Sequence, residues 1–81
     1  MVTDINESVD VITVFKKDQA YPAILKWKNR VYKVKNVNMI HQAFSGKALI
    51  HYFSVSDELH FFRLAFNTQN LQWKLEQVYS D

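Results

Sequence analysis

Ten residues from Leu25 to Val34, which read LKWKNRVYKV, decide the fold of this 81-residue chain. Apolar and basic side chains alternate on both sides of Lys28-Asn29, and asparagine accepts the positive φ that a two-residue primed turn requires. A hairpin closed by these two residues pairs Trp27 with Arg30. The stretch therefore predicts two antiparallel strands joined by a tight turn.

The two faces of this hairpin differ in chemistry, because directly paired residues share a face. The apolar face carries Ala23, Leu25, Trp27, Tyr32 and Val34, and the basic face carries Ile24, Lys26, Val31, Lys33 and, one step on, Lys35. A slip of one residue would turn the lysines into the core, so the register is well specified. We expect Leu25, Trp27 and Tyr32 to be buried together, Lys26 and Lys33 to be exposed, and the Arg30 guanidinium to stack on the Trp27 indole.

Outside this hairpin, period-two alternation recurs with little helical periodicity. Residues 1–8 are polar and acidic and predict a flexible tail, which leaves residues 9–81 as a single domain. The alternation breaks near residues 36–40, which predicts a bulge or a sharp bend. Asp57-Glu58 predicts a second two-residue hairpin in which Val55 pairs with His60.

These patterns predict an all-β fold of about six antiparallel strands in a meander. Small sheets of this kind curl to cover their edges, so we expect a small SH3-like or OB-like barrel or half-barrel. One Gly, one Pro and 48% apolar residues argue against disorder. The absence of Cys fits a reducing cytoplasm, and the absence of a secretory signal or a long apolar run predicts no membrane association.

Sequence signals for an enzyme are nearly absent. The chain has no glycine-rich phosphate loop, no nucleophile elbow and no paired carboxylates inside an apolar pattern. The imidazoles are His41, His51 and His60; the last two share a predicted face but lack a third ligand for a metal ion. The sequence therefore predicts a non-catalytic protein without cofactor or metal.

Charge is unevenly distributed along the chain. Residues 16–35 hold seven cations and one carboxylate, a balance of +6, whereas the whole chain carries +2. Clustered Lys and Arg neutralise phosphates and drive non-specific nucleic-acid binding. The candidate nucleic-acid ligands are Lys26, Lys28, Arg30, Lys33 and Lys35. The alternative interpretation is that these lysines only solvate the sheet face and protect its edges.

A second function fits four other side chains. Ile24 and Val31 on the first hairpin, and Tyr52 and Phe61 on the second, fall on faces opposite the predicted core. Exposed apolar patches mark protein interfaces, and a small domain can bury additional area by forming a homodimer. These four residues therefore predict contact with a protein partner or with a second copy of the chain.

Several motifs resemble those of a known family. Residues 27–34 are close to the pattern W-[RK]-[GN]-R-x-Y-x-V, and an aromatic-x-Leu strand at residues 62–64 and a W-x-L run at residues 73–75 follow. Over residues 10–81 the chain resembles a bacterial family of small domains of unknown function. It departs from the family at Asn29 and Asn70, where glycine is usual; asparagine keeps the turn chemistry. The resemblance implies no catalytic residue. Some members of the family lie near genes for error-prone DNA synthesis, which implies a role connected with DNA.

Overall fold

The computed structural model describes residues 1–80, which form seven strands. They are β1 (Val2–Lys16), β2 (Gln19–Trp27), β3 (Arg30–Lys33), β4 (Asn36–Ser45), β5 (Ala48–Ser56), β6 (His60–Asn67) and β7 (Gln72–Ser80). The strands form one sheet in the order β3-β2-β1-β7-β6-β5-β4, and every neighbouring pair is antiparallel. The predicted all-β antiparallel architecture is confirmed, with seven strands where the sequence analysis expects about six.

The long strand β1 belongs to both halves of the sheet. Val2 to Val9 pair with β7, whereas Asp10 to Lys16 pair with β2. The prediction of a flexible tail over residues 1–8 is therefore wrong, because the backbone of this segment pairs with β7. Polar side chains do not prevent it, because the ladder is made by backbone groups and the side chains can face water. The Gln77 amide, for example, donates to the Asp4 carboxylate at 3.0 Å.

The two strands that end the sheet order, β3 and β4, follow each other directly in the chain. Only Val34 and Lys35 separate them; the Val34 N–H donates to the Ala23 carbonyl at 2.9 Å, and the Lys35 N–H donates to the Ser56 carbonyl at 2.9 Å. Within residues 1–80 no ladder joins β3 to β4. The sheet is therefore not closed into a barrel, one of the two expected shapes, the other being a half-barrel.

The core lies mainly on one face of β5, β6 and β7. Its fully buried members include Leu25, Phe53, Val55, Leu64 and Leu75, and Leu25 brings the β2–β3 hairpin into the same cluster. Aromatic rings fill much of this small core: the Phe66 and Trp73 centroids are 4.7 Å apart. Such rings each bury a large apolar area, which a domain of this size needs.

Two predictions about register have different outcomes. The bulge expected near residues 36–40 is confirmed by a register shift between Val37 and Met39. The register of the second hairpin is corrected: Val55 pairs with Phe62 rather than His60. A shift of two residues leaves every side chain on its predicted face, because strand side chains alternate with a period of two.

Candidate functional site

The turn of the β2–β3 hairpin has the predicted conformation. Lys28 and Asn29 have φ values of 52° and 61°, in the left-handed region that a type I′ turn requires at both central positions. Trp27 pairs with Arg30 across the turn, which confirms the predicted register. The turn thus determines which hairpin side chains share a face.

The apolar face of the hairpin packs on the core. Leu25 is fully buried, and Trp27 and Tyr32 are half-buried. The Tyr32 ring meets the Phe62 ring of β6 edge-on, with centroids 5.2 Å apart. Lys26 is exposed while Trp27 is not, as predicted. This packing holds the hairpin in place and directs its basic face to solvent.

The basic face is organised in cross-strand rows. In one row Lys26 lies between Asp10 of β1 and Val31 of β3. All three of these residues are exposed. Opposite charges on directly paired residues attract weakly, so Asp10 offsets part of the charge of Lys26. Asp10 was not predicted as a neighbour of these cations, because the β1–β2 pairing, which brings it beside the hairpin, is not evident from the hairpin's own sequence.

The adjacent cross-strand row combines one cationic side chain with two aliphatic side chains. Ile12 pairs with Ile24, which in turn pairs with Lys33. Ile12 is 61% exposed and Val31 is 62% exposed. The basic face is therefore interleaved with aliphatic side chains, and Ile12 is a member that the sequence analysis missed.

The cation beside the Trp27 indole is Lys28. Its Nζ lies 4.9 Å from the ring centroid, a distance at which a cation–π attraction operates. The prediction that the Arg30 guanidinium stacks on the Trp27 indole is therefore wrong, because Lys28 takes that place. Lys28 can reach the ring because its own left-handed backbone folds it back over the preceding residue, whereas Arg30 remains exposed at the start of β3.

Lys35 takes part in an ion pair outside the hairpin. It sits in the link between β3 and β4, and its Nζ donates to the Glu58 carboxylate in the β5–β6 turn. Both side chains are more than half exposed, so this pair contributes little to stability. It nevertheless lowers the positive potential that Lys35 can offer to an anion.

The β5–β6 turn that carries Glu58 is shaped by Asp57. The Asp57 carboxylate accepts hydrogen bonds from the Leu59 N–H at 2.8 Å and the His60 N–H at 2.7 Å. Burial raises the pKa of the Asp57 carboxyl, but these two backbone bonds and the neighbouring His60 ring together hold that pKa below its ordinary value of 3.8. The side-chain cap explains why the connection is longer than two residues.

A groove separates the hairpin tip from the middle of β1. It has a volume of about 410 Å³ and is lined by Glu7 and Asp10 on the β1 side and by Lys26 and Lys28 on the hairpin side. Carboxylates on one wall repel an anion, so a phosphate would not enter the groove deeply. The more favourable anion surface is the β3 side of the hairpin, which lies away from β1 and carries Arg30 at the turn and Lys33 on the basic face.

The four candidate interface residues do not form one patch. Ile24 and Val31 lie on β2 and β3, whereas Tyr52 and Phe61 lie on β5 and β6, with β1 and β7 between the two groups. The Tyr52 ring is covered by the Arg63 guanidinium, 5.3 Å away, and by the His41 ring, 5.9 Å away. On β6 and β7, the strand pairing of Phe61 with Tyr79 builds a local apolar surface.

The three histidines lie apart and serve separate contacts. His41 stacks on Tyr52, His60 lies 3.4 Å from Asp57, and His51 pairs with Phe66 on the core side. Among residues 1–80 no group of three or more potential ligands is placed to hold a metal ion.

Searches with this chain find no matching family model, no similar curated protein and no similar solved structure. The resemblance to the bacterial family of small domains therefore stays a prediction. The described part of the chain, residues 1–80, has no helix long and apolar enough to cross a membrane.

Proposed function

We propose that this protein is a non-catalytic binding module that contacts nucleic-acid phosphates through the exposed cationic side chains of its β2–β3 hairpin. The observation that supports the proposal is the set of exposed cations there: Lys26, Lys28, Arg30 and Lys33 all lie within eight residues of the same hairpin. Phosphate neutralisation by such a cluster gives affinity without sequence preference.

The five candidate ligands do not contribute equally. Arg30 and Lys33 face solvent, and neither takes part in an ion pair within residues 1–80. Lys26 lies opposite Asp10, and Lys35 is paired with Glu58. Each of these lysines therefore offers less uncompensated positive charge to a phosphate. We expect Arg30 and Lys33 to provide most of the binding, with Lys28 at the tip as a third contact.

The shape that accompanies this function is a half-barrel. The curl is supported by the link between β3 and β4, whose backbone N–H groups bond to Ala23 of β2 and Ser56 of β5.

The test is a fluorescence-anisotropy titration against short single- and double-stranded DNA at several salt concentrations. The slope of log affinity against log salt should be negative, with about −0.7 to −0.9 for each phosphate contacted. The double variant Arg30→Glu/Lys33→Glu should abolish binding and remain folded, because both side chains are exposed. The matched control Lys47→Glu/Lys74→Glu changes the net charge equally at exposed positions outside the hairpin and should bind almost as wild type.

Two outcomes would contradict this function. One is the absence of binding even at low salt, and the other is equal loss of binding in the hairpin variant and in the control. Either result would leave the cations as a solvated face.

A protein partner is the second candidate function, and a different surface favours it. Val2, Tyr79 and Phe61 lie in one cross-strand row over β1, β7 and β6. They are 50%, 46% and 56% exposed. An apolar contact of this kind persists or strengthens as kosmotropic salt rises, whereas phosphate binding weakens. The salt series therefore separates the two functions.

A further inference from the structure

Strand β4 leaves one of its two edges without a neighbour. Its only strand partner is β5, and among residues 1–80 no other strand comes close enough to contact it. The backbone N–H and C=O groups along the second edge therefore have no partner strand within residues 1–80. The chemistry that complements such an edge is another extended strand.

The two edge strands of the sheet are protected to very different degrees. β3 is only four residues long and carries Arg30 and Lys33, and short length and charge both discourage strand addition. β4 has ten residues, NVNMIHQAFS, without Lys, Arg, Asp, Glu or Pro. Its one protective feature is the bulge between Val37 and Met39, which leaves Met39–Ser45 in regular register with β5.

The regular segment of β4 also exposes apolar side chains on both faces. Met39 and Phe44 are 64% and 72% exposed, and Ile40 is 37% exposed. Ile40 and Phe44 pair with Phe53 and Leu49 of β5, so they lie on the core-facing side of the sheet. They remain accessible there because β4 is the last strand of the sheet in the described part of the chain.

We propose that two copies of this chain form a dimer by antiparallel pairing of their β4 edges. The twofold axis of such a pair runs perpendicular to the sheet, so the core-facing sides of both copies stay on the same side. Using the whole regular segment, Met39–Ser45, centres the pairing on Gln42. The interface is distinct from the basic hairpin and does not depend on nucleic-acid binding.

This register is self-complementary in shape and in charge. Gln42 lies opposite Gln42 of the second copy, and Ile40 lies opposite Phe44 of the second copy, twice per dimer. Aromatic and β-branched side chains make favourable cross-strand pairs. No cation falls opposite another within the paired segment, because Lys47 lies in the β4–β5 turn outside Met39–Ser45. The paired segment is about 23 Å long at the rise of a β-strand.

The central position allows a charge-swap experiment. Gln42 is exposed, so Gln42→Lys and Gln42→Glu should fold as wild type. Each variant alone sets two like charges directly opposite each other, and the dissociation constant of its dimer should rise at least about tenfold. Mixing the two variants sets Lys opposite Glu and should restore a heterodimer. Sedimentation velocity measures all three states without any nucleic acid present.

A cross-link provides an independent measurement of the same geometry. The wild-type chain has no Cys, so Gln42→Cys introduces a single thiol at the twofold axis. Directly opposed residues in an antiparallel pair have Cα atoms roughly 4.5–5.5 Å apart, within the range that a disulfide spans. Mild oxidation should give a covalent dimer quickly. Gln69→Cys, at an exposed turn position, is the matched control and should cross-link slowly.

The proposal is overturned if wild-type protein stays monomeric at millimolar concentration. It is also overturned if mixing Gln42→Lys with Gln42→Glu produces no heterodimer, or if Gln42→Cys cross-links no faster than Gln69→Cys. A dimer that is unaffected by either charged Gln42 variant would assign the contact to another surface, such as the row of Val2, Tyr79 and Phe61.

Discussion

At the scale of single residues, Asp57 combines a structural role with a titratable group. Its carboxylate caps two backbone N–H groups in the β5–β6 turn, and the His60 ring lies beside it. A group that favours its charged form in the folded state adds stability only where it is ionised. Burial raises the pKa of Asp57, but the hydrogen bonds from Leu59 and His60 have the larger combined effect and hold that pKa below 3.8. The stability it contributes is therefore present above about pH 4 and is lost as the pH falls through the folded-state pKa.

Two substitutions should separate the charge of Asp57 from its capping. Asp57→Asn keeps an acceptor oxygen for Leu59 and His60 but has no charge, so its stability deficit relative to wild type should shrink as the pH falls from 6 to about 2. Asp57→Ala removes the acceptor as well and should cost about 1–3 kcal/mol at neutral pH. Urea titrations over that pH range measure both. A deficit of Asp57→Asn that grows towards acid would show that the sign of the pKa shift is reversed.

At the scale of elements, the β2–β3 turn depends on two consecutive residues with positive φ. Asn29 has φ of 61°, a conformation that costs most residues with a Cβ about 1–2 kcal/mol, but costs glycine nothing and asparagine less. Asn29→Ala should therefore lower the free energy of unfolding by about 1 kcal/mol, whereas Asn29→Gly should leave it unchanged or raise it. Thermal melts of both variants check this.

A matched control distinguishes this turn effect from loss of an amide. Asn36→Ala makes the same change at an exposed position at the start of β4, where φ is not positive. It should change stability much less than Asn29→Ala. Equal losses in the two variants would show that the left-handed backbone is not what Asn29 supplies.

The elements also show what periodicity and turn chemistry can and cannot predict. The first hairpin is predicted in register because Lys28-Asn29 has one favourable turn and a slip would bury charge. The second is displaced by two residues because Asp57 caps its own loop, which alternation does not reveal. The ion pair of Lys35 with Glu58 joins residues 23 positions apart and depends on the course of the β3–β4 link. The candidate cations were thus predictable from the sequence, but the acids that offset them were not.

At the scale of the whole molecule, β1 connects two groups of strands. Its first half pairs with β7 and its second half with β2, and the Trp73 indole of β7 donates to the Thr13 hydroxyl of β1 at 3.0 Å. Leu25 of β2 is fully buried in the same cluster as Phe53 of β5. Because one core spans both groups, neither should retain its packing when the other unfolds.

The two tryptophans make this cooperativity measurable. Trp27 reports on the β2–β3 hairpin and Trp73 on the β5–β7 core, so Trp73→Phe and Trp27→Phe each leave a single fluorescent probe. Each variant should show one urea transition, with the same midpoint by fluorescence and by far-ultraviolet circular dichroism. If Trp27 in the Trp73→Phe protein reports a transition well before the circular dichroism signal is lost, the hairpin opens separately. The binding face would then be a mobile element instead of a part of the folded unit, and its affinity for DNA should rise when the hairpin is stabilised by Asn29→Gly.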